Sequence, residues 1–299
     1  MTDVNTLFQK ASKLHQKGRF QDAERLYTKI LKVAPRFPAA LNMYGVLQLQ
    51  LRKFTVAIEY FNQTIKLEPN NAPAHENLAR SYMGIKQFAH AQSCYEAALR
   101  LKPRSFTALF GLGGALISQH KFVDALQAFI KAQALNKTNP MLYLNLGNVF
   151  RRLGRIDEAI LNYKKASSLD PRSVDAHACL GQLYLQQADF QSAEEHFRKA
   201  IELGAQRPDI EIGLAETLEK NGKEEHSAKH YYNAVEQDPL SQNAYIRLDE
   251  FLLRSGGARK KSFLTELASD HIYTHWSEAV ADARKLAAMY RYPDGDILS

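Results

Sequence analysis

Cysteine is scarce in this sequence of 299 residues: Cys94 and Cys179 are too few and too far apart for a disulfide framework or a thiolate zinc cluster. Neither has the sequence neighbours of a nucleophile, and each reads as a small apolar residue. Long apolar runs are missing as well. Nothing approaches the roughly 18 uninterrupted apolar residues that a membrane span needs, and Met1, Thr2, Asp3, Val4 and Asn5 contain no basic stretch leading into an apolar core. No membrane insertion and a reducing, cytoplasmic or nuclear compartment are therefore expected. Acidic residues are outnumbered, 32 against 39 Lys and Arg, for a formal charge of +7. That balance leaves acidic proteins, acidic lipid surfaces and nucleic acid in play as partners. With 45% hydrophobic and 24% charged residues, the chain has ample apolar surface to bury, which excludes wholesale disorder and fibrous classes.

Length alone, at roughly 150 residues per domain, suggests two globular domains. Internal repetition overturns that prior. Phenylalanine or isoleucine, two residues, then alanine recurs as Phe20 to Ala23, Phe54 to Ala57, Phe88 to Ala91, Phe122 to Ala125, Ile156 to Ala159 and Phe190 to Ala193, always 34 residues apart. An aromatic follows four residues after each alanine, at Tyr27, Phe61, Tyr95, Phe129, Tyr163 and Phe197. Pro35, Pro69, Pro103 and Pro171 close their units. A seventh copy keeps Tyr231, Ala234 and Pro239 with Ser227 in the alanine slot. Apolar residues at unit positions 4, 7, 8 and 11 form the stripe of one helix, and those at 20, 24 and 27 the stripe of a second. Small residues at positions 8 and 20, such as Gly147 and Ala159, mark where the two helices approach closely. The proline ends the second helix.

This pattern resembles the tetratricopeptide repeat, and it covers residues 4–241 as seven units: 4–37, 38–71, 72–105, 106–139, 140–173, 174–207 and 208–241. The resemblance implies an all-α, right-handed superhelical solenoid of helix-turn-helix repeats. Residues 242–290 read as a degenerate eighth repeat, broken at Ser255, Gly256 and Gly257, followed by helices over 262–290 that cap the last apolar face. Residues 291–299 read as a tail.

Catalytic and metal motifs have simpler explanations. Gly111, Gly113 and Gly114 follow no strand and precede no lysine at phosphate-loop spacing, and Gly113 occupies the close-packing position. His226 with His230, and His271 with His275, have zinc-compatible spacing but lack a metalloprotease glutamate, and His230 shares repeat position 23 with His196. Lys260 and Lys261 read as a solvated basic joint. No cofactor, metal or catalytic residue is expected.

The surface remains. In the resembled family, positions 2, 5, 9 and 12 of each first helix line a concave groove that binds extended peptides or partner helices. Here positions 5, 9 and 12 read Phe8, Ser12 and His15; Asn42, Val46 and Leu49; Glu76, Arg80 and Met83; Phe110, Gly114 and Ile117; Leu144, Asn148 and Arg151. The apolar content of a face that polar residues would otherwise occupy marks Phe8, Asn42, Val46, Leu49, Met83, Phe110, Ile117 and Leu144 as candidate partner-binding residues, with Arg80, Asn148 and Arg151 as the chief polar anchors. Packing against neighbouring first helices is the competing explanation. A two-carboxylate clamp of the chaperone-binding type is not expected. Asn77 and Asn145 occupy one of its positions, but Asn42 with Val46, and Phe110 with Gly114, stand where its lysine and asparagine belong.

Charge is uneven. Residues 1–171 carry 24 basic and 11 acidic residues, whereas 172–241 carry 7 and 13. This polarity favours an acidic protein partner at the first five units and also allows head-to-tail self-association into a homo-oligomer. The groove lacks the interleaved basic and aromatic residues that nucleic-acid strands favour. The expected function is a non-enzymatic scaffold or adaptor. The alternative is a targeting or substrate-binding subunit of a glycosyltransferase or sulfotransferase system, since the run Leu144 to Asn148 resembles the arrays of protein O-linked N-acetylglucosamine transferases.

Overall fold

The computed structural model describes residues 3–238 and 241–254, and among these it shows fifteen α-helices and no strand. They are α1 (Val4–Gln16), α2 (Phe20–Val33), α3 (Pro38–Gln50), α4 (Phe54–Leu67), α5 (Ala72–Gly84), α6 (Phe88–Leu101), α7 (Phe106–Ser118), α8 (Phe122–Leu135), α9 (Pro140–Arg152), α10 (Ile156–Leu169), α11 (Val174–Gln186), α12 (Phe190–Glu202), α13 (Pro208–Lys220), α14 (Glu224–Gln237) and α15 (Gln242–Arg254). The chain divides into two compact units, Met1–Pro171 and Arg172–Ser299. The capping helices expected over 262–290, the tail, His271 with His275, and Lys260 with Lys261 all lie outside the described residues.

In the first unit each odd-numbered helix packs most extensively on the even one that follows it, and each even one on the next. The odd helices also touch one another in order, α1 on α3, α3 on α5, α5 on α7 and α7 on α9. Burial is accordingly layered rather than central. One layer gathers Ala11, Ala23, Tyr27, Ile30, Ala40 and Leu47; the next holds Leu49, Ala57, Phe61 and Leu78. In the second unit, Tyr231, Tyr232, Val235, Leu248 and Phe251 form an equivalent layer.

Two backbone features follow from the repeat. Every turn between paired helices places repeat position 15 in the left-handed region. Gly18, Gly154 and Gly222 do so with φ near +72°, while Arg52, Lys86, His120 and Ala188 do so with φ near +60° despite their Cβ. Position 8 is the close approach. A Cβ on Gly113 would lie 2.4 Å from the Phe129 ring, so only glycine lets α7 and α8 pack at this distance.

Caps and staples fix the ends. Asn71, Ser105, Asn139 and Ser173 accept hydrogen bonds from the third amide of the helices they precede, at 3.0–3.3 Å. The basic residue before several second helices reaches back to the preceding repeat: Lys53 to Glu24 at 3.5 Å, Lys121 to Gln92 at 3.1 Å and Lys223 to Glu194 at 2.8 Å. Gln48 adds a bond to Glu24 at 2.9 Å, and this bond, together with the Lys53 charge, holds the carboxyl below its usual range against the opposing pull of burial.

Candidate peptide-binding groove

The first helices α1, α3, α5, α7 and α9 set one row of groove positions side by side in the first unit. The structure divides the sequence-derived residues into three groups. Leu49 and Leu144 are buried, with Leu49 in the layer shared with Phe61 and Leu78. Their hydrophobicity serves packing between helices. Phe8, Val46, Met83, Phe110 and Ile117 are half-buried. Phe8 meets Tyr27 and Phe37 at ring-centroid distances of 6.2 and 5.3 Å, and Phe110 stacks on Phe106 at 5.7 Å and lies 5.8 Å from Phe129. These side chains show one flank to solvent and one to the core. Arg80 and Arg151 are exposed, and no carboxylate pairs with either among the described residues. Arg80 donates only a long bond, 3.3 Å, to Asn77 Oδ1.

A layer beneath the groove orients its polar groups, and sequence reading missed it. Tyr163 donates to Asn148 Oδ1 at 2.8 Å, fixing the amide so that Nδ2 is left to donate. The Tyr27 and Ser12 hydroxyls lie 3.4 Å apart. Burial, with a contribution from Glu76 and against the Arg80 charge, pushes the Tyr95 hydroxyl up to about 12. Across the five repeats of the first unit, tyrosine at position 24 accompanies a polar residue at position 9, as in Tyr27 with Ser12, Tyr95 with Arg80 and Tyr163 with Asn148. Phenylalanine accompanies an apolar residue or glycine, as in Phe61 with Val46 and Phe129 with Gly114, a pairing that Phe197 with Gln182 in the second unit does not keep. The alternation of tyrosine and phenylalanine was visible in the sequence; its meaning needed the helix pairing. Asn42 Oδ1 and His15 Nδ1 are buried and accept nothing from protein, although His15 Nε2 is 2.7 Å from Gln50 Oε1.

In the second unit the charged groups are used on one another. Arg207 pairs with Asp175 at 2.6 Å and Asp209 at 2.7 Å, Arg254 with Glu219 at 2.8 Å, and Arg247 with Glu216 at 3.3 Å. Glu211 is buried and lies 2.7 Å from His230 Nδ1, with Gln237 donating to it at 3.2 Å. Repeat position 23, which His196 and His230 share, is thus a packing position here. His196 faces His177, Nδ1 to Nδ1 at 3.1 Å, and stacks on Tyr184. Among the described residues no group of three or more His, Cys, Asp or Glu side chains is arranged to hold a metal ion. Burial pushes the Cys94 thiol up to about 11, so it stays protonated at neutral pH.

Family models described as tetratricopeptide repeat match residues 8–72, 76–140 and 174–205, and one described as TPR repeat matches 147–188. The chain belongs to the tetratricopeptide repeat family. Its helix pairs, close-packed glycines and left-handed turns are those repeats seen in three dimensions. Among solved structures, MamA is similar at 28% identity and a TM-score of 0.51, over 54% of this chain and 94% of that one. YrrB, described as a TPR protein with an unusual peptide-binding site, is similar at 20% identity and 0.53, over 62% and 95%. The C-terminal part of a TPR repeat-containing protein from Cytophaga hutchinsonii aligns at 19% identity and 0.64, over 81% and 99%. No curated protein matches the sequence. No helix among the described residues is long and apolar enough to cross a membrane.

Proposed function

We propose that this tetratricopeptide repeat protein is a non-enzymatic interaction scaffold that binds a peptide or helical segment of a partner protein along the first helices of residues 1–171. One observation carries the reading: a single row of helices presents half-buried apolar side chains beside two exposed arginines with no carboxylate partner among the described residues. Unused polar surface normally pairs its charges or leaves them among other polar groups, whereas an apolar floor edged by unpaired donors suits a ligand that brings both. The half-buried Asn148 amide, oriented by Tyr163, adds a donor suited to a peptide backbone. YrrB supports a peptide ligand by its description.

The experiment is affinity capture with mass spectrometry, comparing the parent chain with the double variant Ile117→Glu, Met141→Glu. Met141 is 52% exposed in the first turn of α9, where an added carboxylate suits the helix dipole. Leu144 is unsuitable, because a glutamate at a buried site would unfold the repeat. Loss of captured proteins by a folded variant is the expected result, and an unchanged set sinks the groove assignment.

A further inference from the structure

We propose that Gly114 opens a side-chain pocket in this groove that takes one bulky aliphatic residue of an acidic peptide, with Arg80 and Arg151 engaging carboxylates to either side. The proposal rests on the groove reading above and names its occupant.

Two neighbouring glycines of α7 show different logic. Gly113 has no room for a Cβ, since one would lie 2.4 Å from Phe129. A Cβ on Gly114 would meet nothing within 4 Å. Packing therefore does not require Gly114, and glycine inside a helix is unfavourable relative to alanine. What it does is leave open space on the groove row, where the other first helices of the unit carry Ser12, Val46, Arg80 and Asn148.

The surroundings of this notch define its guest. Phe110 and Ile117, one turn to either side on α7, share its helix face and are half-buried. They make the notch apolar along the helix. Across the groove it is polar. Arg80 stands at the same repeat position of α5, and Asn148, held by Tyr163, at that of α9, with exposed Arg151 one turn further on. Neighbouring packed helices lie about 10 Å apart, and an extended chain advances about 3.3 Å per residue, so carboxylates about three residues before and after the aliphatic side chain reach the two arginines. The sole carboxylate among the groove positions of this unit, Glu76, already accepts a hydrogen bond from Ser105 at 2.6 Å. With 24 basic against 11 acidic residues over 1–171, the unit as a whole draws anionic ligands.

The probe is a fluorescein-labelled peptide of sequence Glu-Glu-Gly-Ser-Leu-Ser-Gly-Glu-Glu, titrated by anisotropy against the full chain beside a version with alanine in place of leucine. We expect the alanine version to bind about tenfold more weakly. Gly114→Leu should fold with an unchanged or raised Tm, weaken the leucine peptide at least tenfold, and leave the alanine peptide within about twofold. Gly114→Ala, a smaller filling, should fall between. Arg80→Ala with Arg151→Ala should weaken both peptides and flatten the dependence on salt.

Equal binding of both peptides, or indifference to Gly114→Leu, overturns the pocket. Equal competition by a single-stranded oligonucleotide that ignores Gly114→Leu shows a generic cationic surface and also overturns it. Self-association of the parent chain that Gly114→Leu abolishes assigns the notch to a second copy instead. Should the peptides fail while the Ile117 and Met141 variant still loses its captured partner, the pocket is wrong and the groove stands. Failure of both removes the groove as well.

Discussion

The two compact units use one repeat for different ends, and repeat positions 4 and 23, which face each other between paired helices, show how. In the first unit these positions hold Leu7 with Leu26, Leu41 with Tyr60, His75 with Cys94, Leu109 with Ala128 and Tyr143 with Asn162. In the second they hold His177 with His196 and Glu211 with His230, joined at 3.1 and 2.7 Å. Among the described residues, the first unit makes no hydrogen bond across this seam, its polar members His75, Tyr143 and Asn162 bonding instead to the carbonyls of Pro69, Lys137 and Glu158, and it leaves Arg80 and Arg151 exposed without ion pairs. The second seals its seam with hydrogen bonds and pairs its arginines with its own carboxylates. Charge that is internally matched gives little to a ligand, whereas unmatched charge beside an apolar floor does. Sequence totals alone, basic before residue 171 and acidic after it, do not distinguish these states.

The seam offers the largest test of that contrast. Replacing His230 with alanine leaves the Glu211 carboxylate buried beside amide donors only, and should lower the unfolding free energy by about 3 kcal/mol in urea denaturation. Converting both, Glu211→Leu with His230→Leu, copies the Leu7 and Leu26 pair of the first unit and should recover most of that loss. If the single variant is as stable as the parent, the polar seam is incidental and the contrast fails.

The turns predict a smaller gain. Ala188 pays the left-handed penalty at φ +60°, so Ala188→Gly in the second unit and His120→Gly in the first should each stabilise by about 1 kcal/mol, read as a shifted urea midpoint. Equal gains show that the turn is independent of the unit that carries it.

Acid titration sharpens the comparison further. Glu24 in the first unit is held low by its Gln48 bond and Lys53. Burial pushes the Glu194 carboxyl of the second unit up, but its bonds from Lys223 and Arg198 outweigh this and hold it low. A lowered carboxyl stabilises above its unfolded value of 4.5 and loses that contribution as pH falls through the folded value, so both staples should weaken below pH 4.5. Glu216 runs the other way: burial raises it despite Arg247. Its contribution is present below 4.5 and lost as pH rises, so Glu216→Gln should stabilise the chain at pH 7 and not at pH 4, measured as Tm against pH. The smallest expected stability effect belongs to Arg80→Ala with Arg151→Ala. Exposed and unpaired, they should change stability by less than about 0.5 kcal/mol while binding falls.

Much of the fold was legible because the 34-residue period is itself a packing code. Phe20 to Ala23, and each later copy, report where one helix lies on the next, and the first helices α1, α3, α5, α7, α9, α11 and α13 start at 34-residue intervals from Val4 to Pro208. The candidate groove was legible as a set of positions and less so as a surface. Leu49 and Leu144 looked like ligand-facing residues, yet they are buried, because a residue on the groove row can also touch the neighbouring first helix. Gly113 and Gly114 are indistinguishable as letters, and only the placement of the Phe129 ring shows that one fills a contact and the other leaves space.

The sequence by itself determined the helices, their pairing and the left-handed turns, since each depends on interactions within one repeat and its immediate neighbour. Tertiary structure decided which groove residues are spent on packing, which arginines stay unpaired, how the polar seam of the second unit closes, and where the chain divides between Pro171 and Arg172. Those outcomes depend on distances between side chains of different helices, and the unbroken 34-residue register carries no mark of them.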